Sequence, residues 1–291
     1  MGRRLRHRQN GEEEENQSGI ESFYNVQGSS IYVSTGNLGH KLEPAGYAMK
    51  YNRMSDEAYL KPNEVAKIDD TTVTAQMKEI MGICTNFIEG VKNDTIVNSG
   101  YKTKFGILLE GPPGTGKSQT VNVAANEFIK KGGVVIGIPD EEVLEYGAGE
   151  YLKRVNAIQP DLPILCLLED LDGYNDYTER TLTSFLDGEN SPQNILFMGT
   201  TNYCSHISER LKRPGRFDII YTVEGMSTDV RKKYIKEKLN QFGKKVTKTK
   251  IEELMKLTKN YNFAELRTFM AYIGIFGFDA KNIASKLSRS E

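Results

Sequence analysis

The strongest pattern in this chain is the run Gly111-Pro112-Pro113-Gly114-Thr115-Gly116-Lys117-Ser118, which fits the pattern G-x-x-x-x-G-K-[ST] of a phosphate-binding loop. An apolar run, residues 105–109, precedes it, and a helical pattern from Gln119 to Lys131 follows it. A strand, a glycine-rich turn and a helix in this order are the context that such a loop requires. A glycine-rich turn that matches by chance is the alternative, and this flanking pattern argues against it.

Each part of the run has a chemical role in holding phosphate groups. Gly114 and Gly116 lack Cβ atoms, so the backbone there can point successive N–H groups at one anion. The helix that follows adds the positive end of its dipole. Lys117 is expected to contact the β- and γ-phosphate oxygens of a bound nucleotide, and the Ser118 hydroxyl to bind Mg²⁺. The predicted nucleotide-binding residues of this segment are Gly111, Pro112, Pro113, Gly114, Thr115, Gly116, Lys117, Ser118 and Gln119.

Composition argues against several other classes of protein. Of the 291 residues, 38% are hydrophobic and 26% are charged, as in ordinary soluble globular proteins. The net charge of −1 gives no overall field that would attract nucleic acid or a membrane. No apolar run approaches the roughly 20 residues that span a bilayer, and the spacing of the three cysteines predicts neither a metal site nor disulfides. We therefore expect a cytoplasmic protein without a membrane anchor.

Changes in pattern along the chain predict four regions. Residues 1–28 hold four arginines, an acidic block and little apolar sequence, which predicts a disordered tail; contact of those arginines with phosphates is the alternative. Residues 29–66 carry short β-prone pieces separated by Gly and Pro, a predicted strand-rich lead-in. Residues 67–225 are the predicted core, and residues 226–291, with helical patterns only, are a predicted helical lid.

The core alternates apolar segments with helical patterns. Five predicted strands lie at 105–110, 134–138, 164–169, 194–200 and 218–223. Nearly continuous apolar strands separated by helices are typical of a parallel sheet covered by helices on both faces. The predicted fold class is therefore α/β, with the parallel sheet of a P-loop NTPase. A ligand is expected at the carboxyl ends of the strands, where the phosphate-binding loop lies.

The lid shows two further patterns. Thr249 with Glu252, and Asn262 with Glu265, have the spacing of a helix capping box. Residues 231–250 carry many lysines and arginines against the single acid Glu237. Few aromatic residues interleave with these charges, so a solvated helix face is the favoured explanation of the run. A nucleic-acid-binding patch is the alternative.

Acidic and amide side chains follow two other predicted strands. Glu169 and Asp170 end the third strand. An acid there can hold the water shell of Mg²⁺, and its neighbour can orient or deprotonate the attacking water. Ser118 and Glu169 are the predicted metal ligands and Asp170 is the predicted base. Asn202 ends the next strand, where an amide could hydrogen-bond the γ-phosphate or the attacking water without adding negative charge.

A cationic segment that contains Arg213 and Arg216 follows. Guanidinium groups suit the charge that spreads over a transferring phosphoryl group, and they can come from a neighbouring subunit. The alternative is a surface arginine that pairs with Asp218 or Glu209.

Five segments together resemble an AAA-type ATPase module: GPPGTGKS at 111–118, ILCLLEDLD at 164–172, LTSFLDG at 182–188, ILFMGTTN at 195–202 and RPGRFD at 213–218. Within that family, the strand-rich lead-in and the order Glu169-Asp170 most resemble the branch of the mitochondrial respiratory-complex assembly chaperone and its bacterial and phage relatives. The resemblance implies that 111–118 is Walker A, that Glu169 and Asp170 are Walker B and that Asn202 is sensor 1. It also implies that Arg213 and Arg216 are an arginine-finger pair, and that Arg267 is a sensor 2 arginine that closes the lid on the γ-phosphate.

The resemblance further implies a Mg²⁺-dependent ATPase that assembles into a homo-oligomeric ring, commonly a hexamer, and does mechanical work on a macromolecule, with protein favoured. Most members have Asp before Glu in Walker B, so we expect slow hydrolysis from the reversed order here. Threading members carry an aromatic pore loop where this chain has Tyr146, which either grips substrate or packs a turn. A nucleic-acid motor or loader and a nucleotide-gated scaffold with weak hydrolysis stay open as alternatives.

Overall fold

The computed structural model describes residues 24–27, 29–33, 41–66, 73–187 and 191–287. The strands in these ranges are β1 (Tyr24–Gln27), β2 (Ser30–Val33), β3 (Gly46–Asn52), β4 (Glu57–Pro62), β5 (Lys104–Glu110), β6 (Val134–Ile138), β7 (Ile164–Leu168), β8 (Ile195–Thr201) and β9 (Ile219–Thr222). They form one sheet in the order β1-β2-β4-β3-β6-β7-β8-β5-β9.

The five strands from β5 to β9 run parallel, which confirms the predicted α/β fold. β8 lies between β5 and β7, so the carboxyl ends of these three strands meet at one edge of the sheet. All seven residues of β8 are buried, as expected for a central strand covered on both faces. The phosphate-binding loop, the acidic pair and Asn202 each follow one of these three strands, so the topology brings them together.

Strands β1 to β4 extend the same sheet. β3 pairs in parallel with β6, and β4, β2 and β1 follow in antiparallel pairs. Met49 and Leu60 of this extension are fully buried in the apolar cluster that also contains Ile136. β1 lies inside the segment predicted to be a disordered tail, so that prediction is wrong for residues 24–27, which pair with β2; residues 1–23 lie outside the described ranges.

Helices cover both faces of the parallel strands. The helices before the lid are α1 (Ala75–Lys92), α2 (Thr95–Asn98), α3 (Lys117–Lys130), α4 (Glu141–Val143), α5 (Gly149–Ile158) and α6 (Asp176–Asp187). Residues of α1 and α3 share one apolar cluster, in which Phe87 stacks on Phe128 with ring centroids 6.3 Å apart. Residues of α5 and α6 belong to the cluster on the other face. No helix in the described parts of the chain is both long and apolar enough to cross a membrane.

The lid consists of α7 (Thr228–Gln241), α8 (Lys248–Leu257), α9 (Phe263–Gly274) and α10 (Ala280–Leu287), which share an apolar cluster of their own. The capping box of Asn262 and Glu265 is confirmed, with both hydrogen bonds at 2.9 Å. The capping box predicted at Thr249 is wrong. Thr247 has the extended N-cap conformation and its hydroxyl accepts from the Lys250 N–H, so Thr249 already lies inside the helix.

Candidate nucleotide-binding site

The phosphate-binding loop joins β5 to α3 at the carboxyl edge of the sheet. Gly114 and Gly116 have φ angles of +79° and +116°, in the left-handed region that residues with a Cβ rarely adopt. α3 begins at Lys117 with Gly116 as its N-cap. Because the first N–H groups of a helix have no partner within the helix, this end offers backbone donors to an anion. The strand, loop and helix predicted from the sequence are all present.

The buried Lys117 ammonium links the loop to the end of β8. Its Nζ donates to the carbonyl oxygens of Gly111 at 2.6 Å and Pro112 at 3.1 Å, and to Asn202 Oδ1 at 2.7 Å. Burial lowers the pKa of Lys117, and the charges of Asp170 and Asp172 oppose that shift. Two side chains that the sequence assigned to one site, Lys117 and Asn202, are therefore in direct contact.

The acidic pair lies at the same edge. Glu169 and Asp170 line one cleft with Lys117 and Ser118. Burial in this cleft raises the pKa of Glu169, and the neighbouring charge of Asp170 raises it further. Asp170 has a left-handed φ of +52°, and its N–H donates to the Thr200 hydroxyl at 3.0 Å. The end of β7 is thus held against the end of β8.

Asp172 is a member of this cluster to which the sequence assigned no role. Its Oδ1 accepts from the Asn202 N–H at 2.8 Å and from the Thr201 hydroxyl at 3.0 Å. Burial raises the pKa of Asp172, but these hydrogen bonds outweigh it, and the net pKa lies below the ordinary value. The available sequence signal was the third acid in the run 169–172.

The lid closes one side of the cleft, which has a volume of about 640 Å³. The Phe263 N–H donates to Gly114 O at 2.9 Å, and a Cβ on Gly114 would lie 2.6 Å from the Asn262 side chain, so α9 starts in contact with the loop. Arg267, one turn along α9, lines the cleft together with Gly116 and Gln119. The structure therefore places Arg267 beside the loop, where the resemblance predicts it.

A second cavity, of about 540 Å³, adjoins the first. It is lined by the segment before α1, by the loop and α3, and by the connection from β9 to the lid, including Thr74, Met77, Gly116, Gln119, Val223 and Met226. Gly116, Gln119 and Phe263 border both cavities. Its lining mixes apolar side chains such as Met77 and Val223 with polar ones such as Thr74 and Gln119, as small-molecule sites do. This cavity could not be predicted from sequence patterns, because its walls come from segments about 150 residues apart along the chain.

The two candidate finger arginines lie in different environments. Arg213 is exposed, whereas the Arg216 side chain is 15% exposed, donates to Arg210 O at 2.5 Å and pairs with Asp187 at 3.3 Å. The predicted alternative partners are occupied elsewhere, because Asp218 accepts from two backbone N–H groups and Glu209 pairs with Lys212.

The backbone of Arg216 lies against Gly106, five positions before the phosphate-binding loop, which corresponds to about 16 Å along β5. Arg216 therefore meets β5 five residues before the loop, and neither Arg213 nor Arg216 lines the cleft of its own protomer.

The contact at Gly106 gives a test of how the arginine segment is held. A Cβ on Gly106 would lie 1.7 Å from Arg216 O, which is backbone and cannot rotate away. We expect Gly106→Ala to lower the free energy of unfolding by about 3 kcal/mol or more, measured by urea unfolding. Gly82→Ala in α1 is the control, since its Cβ meets nothing within 4 Å and should stabilise the helix by about 0.5–1 kcal/mol. Equal effects of the two substitutions would contradict the predicted contact.

Tyr146 lies in a turn of π-helix, Leu144–Ala148, and is 61% exposed. Its ring lies 5.8 Å from that of Tyr51 on β3, and Arg53 beside it pairs with Glu142, with Nη2 and Oε2 2.8 Å apart. Tyr146 therefore packs against Tyr51 and also presents an exposed surface. The sequence did not connect Tyr146 with these residues of the N-terminal strands.

The residues present fit a magnesium ion held jointly with phosphates. The described residues contain no group of three or more His, Cys, Asp or Glu that could hold a metal alone. The cleft instead offers the Ser118 hydroxyl and the carboxylates of Glu169 and Asp170. Mg²⁺ prefers oxygen ligands and usually binds through one or two carboxylates plus substrate phosphates and water.

Comparison with known proteins agrees with this geometry. Residues 107–225 match the model of the ATPase family associated with various cellular activities (AAA). This stretch of the chain is therefore similar to an AAA-type ATPase domain. The matched stretch begins within β5 and ends after β9, so it covers most of β5, the other four parallel strands, the loop, the acidic pair, Asn202 and both candidate finger arginines.

Similar proteins include ATP-dependent zinc metalloproteases. The chain is 33% identical over 189 residues to FtsH of Mycoplasmopsis pulmonis, covering 58% of this chain and 25% of that protein. It is 26% identical over 254 residues to the chloroplastic FTSH 2 of Oryza sativa subsp. japonica, covering 81% of this chain and 36% of that protein. The chain thus spans about a quarter to two fifths of the length of such relatives. The pattern H-E-x-x-H of zinc proteases does not occur in the 291 residues.

Proposed function

We propose that this protein binds ATP with Mg²⁺, hydrolyses it as an oligomeric ring and couples the turnover to the remodelling of a protein substrate. The observation that carries the proposal is the pair of adjoining cavities at Gly116. One offers a lysine and backbone donors for phosphates and carboxylates for Mg²⁺, and the other offers space for a base. Residues 107–225 match the model of a family of ATPases, and this similarity supports hydrolysis as the reaction.

The chain's own groups divide the work of hydrolysis. Lys117 and the first N–H groups of α3 hold the phosphates, and Asp170 orients or deprotonates the attacking water. The Asn202 amide contacts the γ-phosphate or that water, while Arg267 approaches from the lid. Mg²⁺, when bound, neutralises charge on the phosphate oxygens. Ser118 and Glu169 are the ligands we assign to it.

In the assembled ring, a neighbouring subunit supplies further positive charge to the nucleotide site. Arg213 is exposed and does not line the cleft of its own protomer, and exposed guanidinium groups of this kind can complete the site of the next subunit. The lid carries exposed apolar side chains at Ile275, Phe276 and Phe278, which suits an interface. A head-to-tail contact of this kind forms a ring when the rotation closes. We assign Arg213 to the neighbouring site and Arg216 to anchoring the segment through Asp187.

Mixing two inactive variants tests the contribution from a neighbour. Lys117→Ala subunits keep Arg213 but lose the phosphate lysine, and Arg213→Ala subunits have the reverse defect. In mixed rings about one interface in four pairs an intact Lys117 with an intact Arg213 of the neighbour, so we expect about a quarter of wild-type phosphate release. Arg180→Ala on α6, also exposed, is the control and should stay active alone. No recovery on mixing would show that Arg213 acts within its own subunit.

Within the family, Leu42 to Tyr47 and the order Glu169-Asp170 point to the branch of the mitochondrial respiratory-complex assembly chaperone. Protein as substrate is supported by the surface that exposed Tyr146 forms with half-buried Tyr51. The near-neutral net charge also supports it, because it gives nucleic acid no general attraction. A nucleic-acid motor is the second candidate on account of the basic run in α7 and the following loop.

One set of measurements tests the whole proposal on the purified chain. We expect ATP binding by calorimetry, Mg²⁺-dependent phosphate release, and ATP-promoted assembly in sedimentation velocity. An unfolded protein should stimulate release more than single-stranded DNA does, and any DNA effect should fall steeply with salt. Binding and assembly without release would favour the scaffold, whereas failure to bind ATP would overturn the proposal.

A further inference from the structure

The turn after β7 directs a third carboxylate at the end of β8. Asp170 adopts a left-handed conformation, and the chain then makes a short 3₁₀ turn over Leu171–Gly173. The Asp172 side chain thereby meets the β8 end, where Oδ1 accepts from the Asn202 N–H and the Thr201 hydroxyl. Oδ2 lies 3.5 Å from Asn202 Nδ2. Asp172 thus contacts the backbone and the amide nitrogen of Asn202.

These contacts fix which way the Asn202 amide faces. Its Oδ1 accepts from Lys117 Nζ at 2.7 Å, while its Nδ2 faces the Asp172 carboxylate. The reverse orientation would point an NH₂ group at an ammonium and an oxygen at a carboxylate, and both contacts are repulsive. An amide nitrogen carries two hydrogens, so Nδ2 keeps one N–H for another acceptor after facing Asp172.

We propose that Asp172 is a positioning residue for ATP hydrolysis, which sets the Asn202 amide so that its second N–H faces the transferring phosphate or the attacking water. This inference rests on the proposed function, because it needs a phosphate in the cleft. Asp172 acts through Asn202 and touches no reacting atom itself. Asn202 without Asp172 can rotate and flip, so fewer molecules present the N–H at the moment of reaction.

A double-mutant cycle measures the dependence of one residue on the other. We expect Asp172→Ala to lower kcat about 10-fold or more while changing ATP affinity less than about threefold. Asp172→Asn, which keeps one acceptor oxygen for the Asn202 N–H, should recover part of that loss. The double variant Asp172→Ala/Asn202→Ala should turn over no more slowly than Asn202→Ala alone. Asp176→Ala, an exposed acid in the first turn of α6, should leave kcat unchanged.

A second readout does not depend on turnover. The side-chain amide resonance of Asn202, assigned by its loss in Asn202→Ala, should shift in Asp172→Ala and stay in place in Asp176→Ala. The inference would be overturned if the effects of the two alanine substitutions on kcat multiplied in the double variant. It would also be overturned if the Asn202 amide resonance did not shift in Asp172→Ala. If the wild-type protein fails to hydrolyse ATP, the proposed function and the catalytic part of this inference are overturned, and the resonance alone then decides whether Asp172 orients Asn202.

Discussion

Lys117→Ala should weaken ATP binding at least about 100-fold and leave no measurable phosphate release. Removing one partner of a desolvated, hydrogen-bonded charge pair generally costs about 2–5 kcal/mol, and about 3 kcal/mol corresponds to a 100-fold change in affinity. Lys117 is 7% exposed and is the one lysine of the described residues that lines the cleft of the loop. Its ammonium already lies among oxygens of the loop and of Asn202, so its partners are in place to position it for a phosphate.

Calorimetry with ATP and Mg²⁺ measures this prediction directly. Lys130→Ala is the matched control, because it removes the same charge from the exposed last turn of the same helix. It should retain wild-type affinity. Far-UV circular dichroism and thermal unfolding show whether Lys117→Ala still folds, since its loss leaves the Gly111 carbonyl without this donor. A folded Lys117→Ala protein that binds ATP as tightly as the control would contradict the assignment of the loop.

The sequence predicted the parts of the site that lie at strand ends. A run such as 164–168 is apolar throughout, and parallel strands bring their carboxyl ends to one edge, so Asp170 and Asn202 could be placed together without a structure. Lys117 follows from the spacing of its own loop. These inferences needed only local pattern and one rule of topology. Their catalytic roles remain predictions.

Other features depend on contacts between distant segments and could not be predicted. Arg216 pairs with Asp187, 29 positions away, because β9 returns alongside β5 and carries the arginine segment past the end of α6. The parallel pairing of β3 with β6 joins residues almost 90 positions apart. Neither the hydrophobic periodicity of a segment nor the spacing of its motifs predicts such a pairing. Thr247 and Thr249 both have side chains suited to an N-cap, so the sequence could not distinguish them. The extended backbone conformation of Thr247 identifies it as the N-cap.

Asp170→Asn should bind ATP with nearly wild-type affinity and yet lose turnover at least about 100-fold, as expected when a general base is removed. Glu169→Gln should instead raise the Mg²⁺ concentration needed for half-maximal turnover, because a carboxylate ligand becomes a neutral amide. The two substitutions are matched, since each removes one charge from adjacent residues of one cleft without changing the size of the side chain. Together they distinguish the acid that acts as the base on the attacking water from the acid that binds the metal.

The raised pKa of Glu169 adds a dependence on pH. Glu169 stays protonated to a higher pH than an ordinary glutamate, so we expect wild-type turnover to fall on acidification at a pH above the usual value of about 4.3, with excess Mg²⁺ moving the midpoint lower. Phosphate release measured across pH and Mg²⁺ concentration for wild type, Asp170→Asn and Glu169→Gln checks both statements. If Glu169→Gln loses turnover at every Mg²⁺ concentration while Asp170→Asn retains it, the base is Glu169 and the order of roles in this acidic pair is the reverse of the one proposed.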